Sequence, residues 1–432
     1  KEKNSDIISY ETANSEKVKL AGIFDPEENN LSLGMWTNSK GEEIKSLLKK
    51  INQIDLSEDS KEIFNIAILT NSYFPNNGIS PEEFIEFKIE YLIKTENLDL
   101  IKLYLSKNKD LYNNEKLVRY YVDQYLSNSE LENACNIFEI IKNISNNYLS
   151  KFQIYCLYNF KGKNEAQLLF DIKKELGFND KYFEDKFNFL MGYKVNNKKE
   201  ISEKNILDFH LSHRTNKNFL YTPNEKTSKI IWKYLSTSNL LENTSSVDIE
   251  NSEKIGLIEK ATQDKNYKEK DLLELYKRFQ FNINQLLNVQ EASKLLPPYK
   301  ARALFYQKLL LTSDSEEKLF ILSNLKKLFV KDNIEDAFNI ELANFLNEIN
   351  LDEVSSEYTS FYKKYSTIED KKDYKIKFNN KIIHQSKLLN YFIENKEKSK
   401  IEKEANDLLK KIKKNKKYYF TTKDLILLES LK

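Results

Sequence analysis

Three consecutive 34-residue units fill residues 95–128, 129–162 and 163–196 without a gap. Each carries two apolar stripes at helical spacing, with a polar turn between them. In the first half, unit position six holds Leu100, Ala134 and Leu168; position seven holds Ile101, Cys135 and Leu169; position ten holds Tyr104, Phe138 and Ile172. In the second half, Tyr121, Tyr155 and Phe189 fall together, followed by Val122, Cys156 and Leu190. Asn113-Asn114 and Ser145-Asn-Asn147 separate the halves. A single helical hairpin cannot bury its apolar stripe, whereas stacked hairpins share a continuous core. The periodicity therefore predicts an all-α fold, an α-solenoid of antiparallel helical hairpins.

Composition supports helices throughout. With only 8 Gly and 6 Pro in 432 residues, there is too little turn material for a strand-rich fold. At that length the chain exceeds one compact core, so it forms several domains or an elongated array. Aromatic content of 12%, with 26 Tyr and 26 Phe, excludes a disordered chain. The 68 basic and 66 acidic residues nearly cancel, and a net charge of +2 makes no case for nucleic-acid binding. No apolar run reaches the roughly 18–20 residues that span a bilayer. Residue 1 is Lys, so the expected start, as a signal peptide or other segment, lies upstream.

Residues 1–30 read as a flexible or extended N-terminal arm, 31–241 as an N-terminal helical array and 252–432 as a second, C-terminal array. The polar stretch 242–251 connects them. Trp36 and Trp232, the two tryptophans, are expected as structural anchors of their helices. Ser80, Pro81 and Glu83 predict a capped helix start. Pro297-Pro298 predict a break before a strongly apolar helix over 299–311. Further helices are expected near 315–330, 334–347, 352–365, 379–394 and 397–414.

Little here points to catalysis. The three histidines are His210, His213 and His384. His210 and His213, three apart, can share a helix face and form a weak metal candidate of two ligands, short of the three or four a closed site uses, and the nearby Asp208 can face elsewhere. There is no phosphate loop and no nucleophile–base–orienter set. No catalytic residue, metal or cofactor is assigned. The basic stretch 396–417, with Leu408, Leu409 and Ile412, reads as a solvated face or as a peripheral contact to an acidic partner or anionic lipid.

Cys135 and Cys156 are equidistant from the turn at Ser145–Asn146, so the two sulfurs can face each other across one hairpin. Spacing leaves two outcomes open, a disulfide or two buried thiols packing as small hydrophobes.

The 34-residue helical pairs resemble tetratricopeptide repeats in a degenerate form. They lack that class's small residues, with Lys102 and Asn136 at one such position, and no proline closes a unit. Leu33-Gly-Met-Trp36 precedes a Leu-rich helix, Ile44 to Ile51. Ala134-Cys135 with Tyr155-Cys156, and the divergent helical units that follow, complete a pattern similar to a poorly characterised group of exported helical-repeat proteins of alphaproteobacteria. That resemblance implies a removed signal peptide and a periplasmic location, with the cytoplasm as the alternative. It favours the Cys135–Cys156 disulfide and supplies no activity. The expected function is a non-catalytic interaction scaffold that binds a partner protein or peptide on its surface. The alternatives are a helical enzyme acting on cell-envelope glycans through a carboxylate pair, and a structural subunit of an envelope assembly.

Overall fold

A computed structural model describes residues 21–51, 53–54, 56–108, 114–141, 144–195, 199–350 and 354–366, with helical fragments at 406–407, 409–410 and 413–414. Those residues are all-helical, with no strand and only two isolated β-bridges. The helices are α1 (Gly41–Ile51), α2 (Glu58–Leu69), α3 (Pro81–Thr95), α4 (Leu98–Lys107), α5 (Asn114–Ser127), α6 (Leu131–Ile140), α7 (Asn147–Phe160), α8 (Lys163–Glu175), α9 (Lys181–Met191) and α10 (Ile206–Arg214). They continue with α11 (Lys229–Thr237), α12 (Ser252–Gln263), α13 (Glu269–Lys277), α14 (Ile283–Leu287), α15 (Val289–Lys294), α16 (Pro298–Leu311), α17 (Ser315–Lys331), α18 (Ile340–Asn347) and α19 (Thr359–Tyr365). No described helix is long and apolar enough to cross a membrane. Two compact units divide the chain, 1–341 and 342–432.

Local chemistry sets the helix starts. Ser80 and Glu83 form a reciprocal capping box with Pro81 at the first position of α3. Asn97, Asn146, Asp180 and Asn205 each accept a first-turn amide.

In the first unit, one cluster of buried apolar side chains runs from Ala21 to Leu235. Three hairpins, α4–α5, α6–α7 and α8–α9, occupy the repeat region. Across the first two hairpins the 34-residue equivalents Ile101 and Cys135, Tyr104 and Phe138, Tyr121 and Tyr155, and Val122 and Cys156 are all buried, and a spacing of 33 carries buried residues through all three. Tyr104, Ile137 and Phe170 are buried at that spacing, as are Leu117, Ser150 and Phe183, and Tyr121, Ile154 and Phe187. In the third hairpin Leu168 and Ile172, expected inside, are 63% and 43% exposed. The connector before α8 is Lys161-Gly162, one residue shorter than the 128–130 connector before α6. One residue is about 100° of helix, enough to turn a predicted stripe out of the core.

The hairpins do not contact only their sequence neighbours. α10 and α11 return across α5. Thr237 Oγ1 donates to the Ser127 carbonyl at 2.7 Å, and Ser129 Oγ lies 2.8 Å from Ser238 Oγ.

Residues 21–24 lie extended along the end of α2. Ile23 donates its amide to the Leu69 carbonyl at 2.6 Å, and Asn71 donates to the Phe24 carbonyl at 3.0 Å. A Cβ on Gly22 would stand 2.5 Å from the Asn71 nitrogen, so only glycine permits this approach. Asn108 clamps Gly22 through both ends of its amide. The Lys88 ammonium donates to the Ala21 carbonyl at 2.5 Å, and burial pushes its pKa down to about 7. Residues 1–20 of the expected arm lie outside the described residues.

The second half of this unit is centred on Arg302 in the apolar helix α16. Its guanidinium meets Glu259 bidentately, at 2.9 Å from Nε and 2.7 Å from Nη2. Nη1 reaches Asp332, and Tyr276 donates its hydroxyl to Glu259. Arg302, Glu259 and Tyr276 are all buried.

The unit 342–432 is described in part. Leu342, Ala343 and Leu346 of α18 are buried, and Tyr362 of α19 donates to the Ile349 carbonyl at 3.2 Å. Of the basic 396–417 stretch, Lys410 and Asp407 form a 3.8 Å pair and Leu409 is exposed. Most of that stretch, His384 and the expected 379–394 helix lie outside the described residues.

Candidate functional site

Cys135 on α6 and Cys156 on α7 bring their sulfurs to 2.05 Å, with Cα atoms 5.5 Å apart, a disulfide distance. Both are buried. The bridge staples the first face of the hairpin; a polar network occupies the other faces of α7. Lys151 Nζ donates to Asp208 at 2.6 Å and to Asp180 at 2.9 Å. Burial would raise the Asp180 pKa, but the Phe183 amide and Lys151 outweigh it and hold the carboxyl below its usual value. Asp208 also receives the Asn205 amide at 2.7 Å, so each lone charge in this pocket has partners.

His210 and His213 do share one helix face, and that face points inward to a tyrosine. Tyr155 Oη lies 2.9 Å from His210 Nε2; His210 Nδ1 lies 2.9 Å, and His213 Nδ1 2.8 Å, from Tyr234 Oη. Burial, then Arg214 and His213, push His210 down to about 3, so it is a neutral hydrogen-bond relay member. Among the described residues no group of three or more His, Cys, Asp or Glu side chains could hold a metal. This network fixes α10 and α11 onto α7.

Nearby, Asp123 on α5 receives the Tyr148 hydroxyl, with Arg119 3.7 Å away. Burial raises the Asp123 pKa to about 6, and Tyr148 and Arg119 only partly offset it. The native state therefore binds this proton more tightly than the unfolded chain, whose carboxyl titrates near 3.9. Its stabilisation is complete below about pH 4 and lost as pH rises through about 6. Asp123→Asn is expected to raise stability by about 2 kcal/mol at pH 8 and to change nothing near pH 4. Urea titrations at the two pH values measure it; a destabilised variant at pH 8 would contradict the assignment.

A groove opens between α11 and α12. One cavity of about 340 Å³ and a second of about 180 Å³ share Asn224, Trp232 and Leu257 as lining. Tyr221 and Tyr267 add aromatic walls. The groove continues past Glu242 and Tyr267 into a third cavity of about 450 Å³. Three ion pairs line it: Glu242 with Lys254, Glu225 with Lys260 at 3.1 Å, and Lys229 with Asp264 at 3.3 Å, while Glu253 stands outside an ion pair among the described residues. The last two pairs cross from the α11 side to α12. Trp232 is half-buried and lines the groove. A cavity of about 460 Å³ beside α1–α3 is larger, but Tyr91 is its aromatic wall and that hydroxyl is committed to Asn65 at 2.7 Å.

Trp36 is half-buried against the edge of Phe84, with ring centroids 5.7 Å apart. The structure thus brings Cys135 to Cys156 and both His210 and His213 to Tyr234, while Trp36 packs on Phe84 and Trp232 lines the groove. The groove was not legible beforehand. Its signal was Tyr221-Thr-Pro-Asn224 ahead of the tryptophan helix, a loop that reads as a plain turn.

No protein family, curated protein or solved structure matches the chain.

Proposed function

We propose that the protein is a non-catalytic interaction scaffold of the bacterial periplasm, a degenerate tetratricopeptide-like solenoid that binds a partner protein or peptide in the groove between α11 and α12. The observation that carries this reading is the groove itself. It is open and aromatic-walled, and three of its four lining carboxylates are engaged in ion pairs. A general acid needs a carboxyl free to give its proton; Glu242 is held by Lys254. The hairpins repeating every 33 residues support the solenoid, with the return of α11 onto α5 as its departure from a linear stack. The paired sulfurs support an oxidising compartment.

The test is a photo-crosslinking amino acid at Tyr267, in the groove wall, in living cells. One discrete protein adduct is expected. No adduct, together with release of reducing sugar from envelope glycan by the purified protein, would overturn the scaffold in favour of a glycan-processing enzyme.

A further inference from the structure

Ala21 to Phe24 form a short strap across the end of α2, and side chains hold three of its successive carbonyls. Lys88 donates to Ala21 at 2.5 Å, Asn108 to Gly22 at 2.9 Å and Lys107 to Ile23 at 2.7 Å. Lys107 is exposed, so water shares its charge; Lys88 is fully buried. Among the described residues the Lys88 Nζ has the Ala21 carbonyl and the Phe84 ring, 5.0 Å to the centroid, and no carboxylate. The other titratable groups on the packed elements supply no counter-charge. The strap carries none, Tyr104 of α4 is buried with its pKa pushed up, and Tyr91 of α3 donates to Asn65 of α2. Glu86 and Glu90 of α3 pair with Lys116 of α5, all three partly exposed. An ammonium has three donors to satisfy, and this site offers it one oxygen and a ring. A neutral amine fits; an ammonium here leaves protons and charge uncompensated.

We propose that Lys88 makes the Ala21–Phe24 strap a proton-operated latch, which docks over the neutral amine and is released when the amine gains a proton. Lifting the strap breaks a handful of hydrogen bonds and leaves α3 and α4 packed in the core, so it is the least costly route by which the ammonium reaches water. The sign follows from the two states. Docked, burial lowers the Lys88 pKa to about 7; released, the side chain returns to the ordinary 10.5. The open strap therefore binds the proton more tightly. Docking is strongest above about pH 10.5, weakens as pH falls, and levels off below about pH 7. Release uncovers the Leu69 carbonyl, the Asn71 amide and the Asn108 side chain, all of which the strap now occupies.

Hydrogen exchange on the full chain, corrected for the intrinsic chemical rate, reads the opening. The Ile23 amide, which donates to Leu69, should lose about tenfold in protection from pH 8 to pH 6. At both pH values it should exchange faster than the amides of α3, because the strap opens without that helix. Lys88→Met should hold the Ile23 protection level across the same range. Gly22→Ala, whose Cβ would stand 2.5 Å from the Asn71 nitrogen, should leave the strap unprotected at both pH values with α3 still protected. In the parent, the Lys88 Nζ resonance should titrate near 7. The proposal fails if Ile23 protection is the same at pH 8 and pH 6, or if its fall persists in Lys88→Met. It fails equally if Ile23 and the α3 amides exchange at one common rate, if Gly22→Ala leaves the strap protected, or if Lys88 titrates near its ordinary 10.5.

Discussion

Replacing Arg302 with methionine is expected to lower the free energy of unfolding by about 3–5 kcal/mol. The cause is what remains. Glu259, buried and accepting two guanidinium bonds and a tyrosine hydroxyl, would lose its counter-charge in a site that water does not reach. Asp332, about one-third exposed, can be re-solvated and adds little. The companion experiment removes the whole network: Arg302→Met with Glu259→Leu and Tyr276→Phe should recover most of the loss, because a buried ion pair contributes little over a well-packed apolar replacement. Urea unfolding of both variants decides the matter. A single variant within about 1 kcal/mol of the parent, or a triple variant no better than the single, would show that Glu259 finds other solvation.

Removing the Cys135–Cys156 link is the second large effect. The cysteines are 21 residues apart, and in the chain-entropy account a loop of that size restricts the unfolded chain by about 3 kcal/mol. Cys135→Ala with Cys156→Ala should therefore lower stability by about that amount, with little change in helix content. Non-reducing mass spectrometry should recover the two cysteine peptides joined. Recovery of both as alkylated single peptides, without a reductant, would exclude the bridge and withdraw the support it gives to an oxidising compartment.

Much of the helical plan could be read from sequence because capping and patterning are local. Ser80, Pro81 and Glu83 announce α3, and Pro297-Pro298 announce α16. That Cys135 and Cys156 can face each other was legible as a symmetry about Ser145–Asn146, while spacing alone left a disulfide and two buried thiols both open. The register was not. The stripe at Leu168 and Ile172 is as apolar as those of the first two hairpins, yet it faces outward in the third, which follows a connector one residue shorter, Lys161-Gly162. Periodicity records which residues are apolar; the loop length decides which way they face. The Arg302 network was hidden for a related reason. A single arginine in an apolar helix is a visible anomaly, but its partners lie on α12, α13 and just past α17, up to 43 residues away. The histidine pair could be read as sharing one face from its spacing, while its partner Tyr234 comes from the next helix, where no local pattern points to it.

The return of α11 onto α5 has a consequence for how the chain acquires its structure. A purely linear stack can begin anywhere and zip outward, each hairpin settling on the last. Here Thr237 meets Ser127 across 110 residues of intervening chain. That closure costs loop entropy before it returns any contact energy, so it slows folding relative to a nearest-neighbour array. The four helices between α5 and α10 are held as a closed circuit and not as an open ladder. A chain emerging in the order of its sequence can pack α5 on α3, α4 and α6 but must leave the part of α5 that α11 covers open until α11 has been made.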